Sequence, residues 1–203
     1  FPSIVKDGID PFAVEGIDNF PYLADAGMNF SYVMHDTGVQ VGYWRGVSHN
    51  LNAVALECFI DELAKNAGAD PIQYRIDMLD MGSTKHAWSG LSAGVPVGAR
   101  MKTVLEEVKK KSRFGKKMAA GKGQGVAVME GYNSVVAIVA EVTVDSTMDV
   151  IVDKVTAVVD GGTLVHPDQA LAQIQGCINM GQGVGLISEI TVKNGIVEQN
   201  NFD

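Results

Sequence analysis

The chain has 203 residues, 46% of them hydrophobic and 20% charged. That composition suits one ordinary core or two small lobes and excludes wholesale disorder. A net charge of −8 repels phosphate backbones and argues against nucleic-acid binding, and no apolar run reaches the length of about 18 residues that a membrane-spanning helix needs.

The elements follow in chain order. Residues 1–48 have little helical periodicity and are punctuated by Pro2, Pro11, Pro21, Gly8, Gly16 and Gly27; stretches 30–34 and 39–41 alternate weakly, as short strands do. A helix is predicted over about 50–67. Leu51, Val54, Ala55, Cys58, Phe59 and Leu63 recur at three- and four-residue spacing, with Glu57, Asp61, Glu62 and Lys65 mostly on the other face. Ser48 or Asn50 is its candidate cap, and Gly68 a good residue to end it. Asp70-Pro71 starts a second helix, ending at Gly82. Residues 82–99 read as a loop. A third helix is predicted from Met101 to about Phe114, with Val104, Leu105 and Val108 inward and the basic run Lys109-Lys110-Lys111 at its solvated end.

After the Gly/Lys-rich connector 115–125 the period switches to two. Strands are predicted over 124–129, 134–144 and 149–159, the middle one buried on both faces at Ile138-Val139-Ala140. His166-Pro167-Asp168 opens a last helix to about 186, and Asn194-Gly195 makes a closing hairpin. The fold class is α+β in two lobes, helices packed on small mixed or antiparallel sheets: 1–120, irregular or β then helical, and 121–203, strands, a glycine-rich helix and a hairpin.

Two segments could carry chemistry. Gly42 to His49 includes Trp44, Arg45 and Gly46 and lies directly before the first helix, whose opening turn offers unpaired backbone N–H groups to an anion. Arg45 adds a bidentate donor fork. A turn with a surface arginine has the same composition. Gln173 to Gly183 is an apolar helix, with glycines at 176, 181, 183 and, just beyond, 185. Glycine inside a helix costs up to about 1 kcal/mol relative to alanine, so another backbone or a cofactor is expected to pack close. Amide side chains there suit a heterocycle's donors and acceptors. The four histidines show no ligand spacing, no metal-binding or catalytic residue is assigned, and two cysteines cannot make the four-thiolate set of an iron–sulfur cluster. Both cysteines are expected as buried free thiols.

Both segments fall into one pattern. Trp44-Arg45-Gly46-Val47, the helix Ala55 to Ala64, Gly68-Ala69-Asp70-Pro71, Val158-Val159-Asp160-Gly161-Gly162, His166-Pro167-Asp168 and Gln173-Ile174-Gln175-Gly176 resemble the xanthine dehydrogenase/aldehyde oxidase (molybdenum hydroxylase) family. The nearest branch contains the beta subunit of isoquinoline 1-oxidoreductase. The resemblance implies a fragment of a molybdopterin-binding large subunit that oxidises an aldehyde or N-heteroaromatic substrate such as isoquinoline, using oxygen from water, and passes electrons to an iron–sulfur subunit. It implies molybdopterin, plain or as the cytosine dinucleotide, with Trp44, Arg45, Gly46 and Gln173 as cofactor-binding residues. The family's general-base glutamate lies in a Gly-Glu-Pro motif that this chain lacks. The fragment alone is therefore expected to be inactive and to bind no cofactor, and a non-catalytic binding or assembly module is the alternative. Phe1 opens the chain without a leader, so the compartment, bacterial cytoplasm or periplasm, stays open. Val47, where the family often has an aromatic residue, and Gln175, where it usually has glutamate, depart from the pattern.

Overall fold

A computed structural model describes residues 5, 7–17, 20–22, 31–36, 38, 42–79 and 96–201. The fold is α+β, as expected. Its helices are α1 (His49–Asn66), α2 (Pro71–Met78), α3 (Val97–Ser112) and α4 (Pro167–Leu186). Its strands are β1 (Lys122–Gly131), β2 (Ser134–Val144), β3 (Val150–Asp160), β4 (Val192–Lys193) and β5 (Ile196–Val197). They form a three-stranded sheet in the order β1-β2-β3 and a separate β4-β5 pair. The chain divides into two compact units, Phe1–Thr143 with Val152–Gly162, and Val144–Ile151 with Thr163–Asp203.

In the first unit, α1 ends in a Schellman motif. Gly68 takes φ +64, its N–H donates to the Lys65 carbonyl at 3.1 Å, and the Ala69 N–H donates to the Ala64 carbonyl at 2.9 Å. Asp70 then caps α2, one carboxylate oxygen accepting from the Ile72 and Gln73 amides at 3.0 and 2.9 Å. The helix is shorter than expected. Leu79 turns to extended backbone and bridges to Tyr22, which stops the helix at Met78. Residues 80–95, including Gly82, lie outside the described residues. Helix α3 starts a turn earlier than its apolar pattern suggested, because Pro96 sets an extended entry and Val97 and Arg100 are already buried. Strand 30–34 is not formed among residues 31–34, and 39–41 lies outside the described residues.

β1 and β2 pair antiparallel with Val126 opposite Val139 and Val128 opposite Ala137. These four and Val135 are buried against α1 and α3, where Ile60, Met101, Val104, Leu105 and Val108 complete the core. The expectation that β2 is buried on both faces is corrected: Val139 is buried, whereas Ile138 and Ala140 are half-buried. The β1–β2 turn is Tyr132-Asn133, both at positive φ (+51 and +66).

Helix α1 corrects a second expectation. Leu51, Val54 and Phe59 are exposed, while Leu56, Glu57, Ile60 and Ala64 are buried. The inward face carries a carboxylate because it has a partner there. Glu57 Oε2 accepts from Arg75 Nε at 2.9 Å and from the Val128 amide at 2.8 Å. The other guanidinium nitrogens donate to Asp61 Oδ1 at 2.6 Å and to the Val126 carbonyl at 3.2 Å. The ion pair thus satisfies a donor and an acceptor of β1 that a further strand would otherwise pair, which protects that edge. Burial pushes the Glu57 carboxyl up from its ordinary value against the pull of Arg75.

Arg100, also buried, donates to Asp160 Oδ2 at 2.8 Å and to the Asp160 and Asn133 carbonyls at 3.0 and 3.1 Å. Its hydrogen bond holds the Asp160 carboxyl below the usual range. Burial raises the Asp70 carboxyl, but the Gln73 amide and the Lys109 ammonium, 3.1 Å away, outweigh it and the net shift is downward. For both aspartates the native value lies below the unfolded one, so the native state binds fewer protons between the two. Their stabilisation is complete above the ordinary aspartate range and is lost as pH falls through the native values. Asp70→Ala is expected to cost about 1 kcal/mol, the usual worth of such a cap. It should also flatten the acid limb of a plot of thermal midpoint against pH.

In the second unit, α4 is capped by His166, whose Nδ1 accepts from the Gln169 amide at 3.2 Å. No residue of α4 is buried. The β4–β5 hairpin turns at Asn194 (φ +53) and Gly195 (φ +77), as the Asn-Gly pair predicts. Both cysteines are free and exposed, correcting the expectation of buried thiols: Cys58 lies on the outward face of α1 and Cys177 on a helix with no buried residue. No helix among the described residues is long and apolar enough to cross a membrane.

Candidate functional site

Three of the four candidate residues lie together in the first unit, on a turn that leads into α1. The Val47 amide donates to the Trp44 carbonyl at 2.9 Å and the His49 amide to the Gly46 carbonyl at 3.1 Å. Gly46 takes φ +87 and Val47 φ +49. The first needs glycine. The second is strained, because a β-branched residue in the left-handed region costs on the order of 1–3 kcal/mol and persists only where its surroundings over-determine it. The Asn50 amide nitrogen donates to the Arg45 carbonyl and so ties the turn to the helix. A Cβ on Gly46 would meet Asn50 Oδ1 at 2.5 Å.

The start of α1 is electrostatically open. Ser48 holds the N-cap position but makes no side-chain capping bond, contrary to the expected cap, and the first turn has no acidic residue. An uncapped helix start with the exposed Arg45 beside it can receive an anionic or amide-rich group. Trp44 is 46% exposed, and Tyr43 packs edge-on against Phe12 with ring centroids 5.7 Å apart.

The fourth candidate, Gln173, is exposed on α4 in the second unit. It borders an open groove of about 560 Å³ with Thr163, Leu164, Val165, His166 and Gln169. Because His166 Nδ1 is occupied as the cap acceptor, Nε2 carries the proton in the neutral ring. At Gly176, Gly181, Gly183 and Gly185 an added Cβ would meet nothing within 4 Å among the described residues, so the close packing expected along this helix is not supplied by them. Among the described residues no cluster of His, Cys, Asp or Glu could hold a metal ion.

A family model for the molybdopterin cofactor-binding domain matches residues 53–203. The chain belongs to this family. Gln173 and its groove fall within the matched span, and the Trp44–Gly46 turn lies just ahead of it. Two curated relatives are similar to most of the chain. The membrane-bound aldehyde dehydrogenase [pyrroloquinoline-quinone] of Gluconacetobacter polyoxogenes is 28% identical over 218 residues, 96% of this chain and 27% of that protein. The isoquinoline 1-oxidoreductase subunit beta of Brevundimonas diminuta is 28% identical over 165 residues, 81% of this chain and 20% of that protein. The chain spans about a quarter of the relatives it matches.

Some of what this molybdopterin-binding domain uses had no local signal. Glu57 has the spacing of the polar face of α1, and its partner Arg75 lies 18 residues away on another helix. His49 was passed over for want of ligand spacing, yet it is buried at the foot of the candidate turn.

Proposed function

We propose that this chain supplies two contact segments for molybdopterin, the Trp44–Val47 turn and the Gln173 groove, within an oxidoreductase that hydroxylates an aldehyde or N-heteroaromatic substrate. The observation that carries the proposal is the turn itself. A strained, glycine-dependent backbone is fastened to a helix start that has neither a capping side chain nor an acid, with an arginine exposed at its edge. The names of the two relatives, an aldehyde dehydrogenase and an isoquinoline oxidoreductase subunit, support the substrate class. Bound molybdopterin supplies the redox centre, and the residues of this chain bind and orient it. Arg45 and the first-turn amides hold its anionic groups, and Gln173 offers its amide to the pterin edge.

No general base is assigned in this chain, so the proposed chemistry draws that residue from elsewhere in the protein, and these 203 residues alone are inactive. Electrons then leave to an iron–sulfur partner subunit. The open helix start suits the phosphate of molybdopterin, whether plain or as the cytosine dinucleotide.

Arg45→Ala and Gln173→Ala test the assignment. Arg45→Ala is expected to weaken cofactor retention by roughly tenfold, about the worth of one charge-assisted hydrogen bond, and Gln173→Ala by about fivefold, the worth of a neutral one, neither moving the thermal midpoint of the cofactor-free protein, since both side chains are exposed. Released pterin fluorescence measures the retention. Wild-type retention in both variants would remove these segments from the site.

A further inference from the structure

We propose that His49 is a positioning residue for the Trp44–Val47 turn, its buried imidazole acting as the wedge that keeps the left-handed pair Gly46-Val47 in place; this rests on the reading of that turn as a cofactor contact. His49 is the first residue of α1 and only 6% exposed. Two glycines from distant segments make room for its ring. A Cβ on Gly16 would lie 3.0 Å from His49 Cδ2, and one on Gly131 would lie 3.1 Å from Cδ2 and 3.3 Å from Nε2. Gly16 has φ +79, a backbone reason to be glycine. Gly131 has no positive φ, so the space for the imidazole is the reason that remains.

The Tyr132 ring lies against the imidazole, centroids 5.2 Å apart, and Glu15 Oε2 is 3.5 Å from Nδ1. Neither ring nitrogen makes a hydrogen bond. Shape and the facing carboxylate, rather than a directed bond, hold the ring. Asn52 fastens the other side of the slot, its amide donating to the Ala13 and Glu15 carbonyls at 3.1 and 2.8 Å. From the ring the constraint passes directly to the turn: the His49 amide holds the Gly46 carbonyl, and the next side chain, Asn50, holds the Arg45 carbonyl. A strained Val47 needs such an over-determined base.

The test compares wild type, His49→Asn, Gly131→Ala, the double variant, and Val108→Ala as a core truncation distant in sequence, each made as the full-length natural gene product in a host that produces molybdopterin. Two readouts are taken: the rate at which pterin is lost from the loaded protein, and the rate of trypsin cleavage after Arg45 in the cofactor-free protein. His49→Asn and Gly131→Ala are each expected to speed cofactor loss roughly tenfold, the scale for outer-shell partners of a metal site, and to speed cleavage after Arg45. The double variant should behave as His49→Asn alone, because Gly131→Ala acts through the ring. Val108→Ala, with a comparable fall in thermal midpoint, should leave both rates at the wild-type value. The proposal is overturned if the single variants match wild type in both readouts, if the two effects add in the double variant, or if Val108→Ala produces the same acceleration. A wild-type protein that holds no molybdopterin overturns the functional reading along with this one; unchanged variants of a loaded wild type overturn this one alone.

Discussion

Arg75→Ala should cost the fold about 3–5 kcal/mol, the range for removing one partner of a buried ion pair, and lower the thermal midpoint by roughly 10 °C for a chain of this size. The guanidinium is fully buried and ties three elements together: Glu57 and Asp61 of α1, the Pro71 carbonyl of α2 and the Val126 carbonyl of β1. Its loss strands a carboxylate that burial already drives upward in pKa, and frees a carbonyl on the edge of the sheet. Glu57→Gln should cost less, because the amide keeps the shape and can still accept from the Val128 amide, while Arg75 retains Asp61. Because Glu57 binds its proton more readily in the native state than unfolded, it favours the native state progressively as pH falls through its raised native value, opposite in sign to Asp70 and Asp160. Thermal unfolding of the two variants across pH 4–8 checks all three statements. An Arg75→Ala midpoint within about 2 °C of wild type would mean that the pair is not the clamp described.

Gly46→Val carries the second large effect. The wild-type residue sits at φ +87, and a Cβ there would approach Asn50 Oδ1 to 2.5 Å, so valine must both leave the left-handed region and displace the tether on the Arg45 carbonyl. The turn is exposed or half-buried, so the core on Leu105, Val108 and Val139 is untouched and the fold should survive with a loss of about 1–3 kcal/mol. The cofactor should not survive with it. A backbone contact displaced by about 1 Å can cost on the order of 100-fold, and molybdenum content after purification should fall to near the background of the method. A folded Gly46→Val protein with full molybdenum content would show that the turn is only a turn.

The sequence made some of this legible and hid the rest for physical reasons. Helix ends with their own chemistry were readable: Gly68 in its Schellman motif, the Asp70-Pro71 start, the His166-Pro167 start and the Asn194-Gly195 turn all announce themselves by local conformational need. The inward triplet Val104, Leu105 and Val108 was readable from spacing alone. The α1 orientation was not. Leu51, Val54, Cys58 and Phe59 make a convincing stripe, yet the buried face is the one with Glu57, because a partner 18 residues away neutralises it. Periodicity weighs apolarity and is blind to long-range charge pairing. Tyr132-Asn133 was equally hidden, since tyrosine at positive φ carries none of the usual turn signals. In the candidate site, Trp44, Arg45 and Gly46 do share one turn and Gln173 does border a groove, but the strain at Val47 and the glycine slot around His49 exist only once distant segments are brought together.

The most direct measurement is the cofactor content of the natural gene product, purified from a host that makes both molybdopterin and pyrroloquinoline quinone, because the family model and the name of one relative point to different cofactors. Metal analysis and chromatography of the released organic cofactor read both at once. The account predicts on the order of one molybdenum and one pterin per protein, with no stoichiometric quinone, as expected where the protein's role is to bind and orient that cofactor. Stoichiometric pyrroloquinoline quinone with no molybdenum would contradict it.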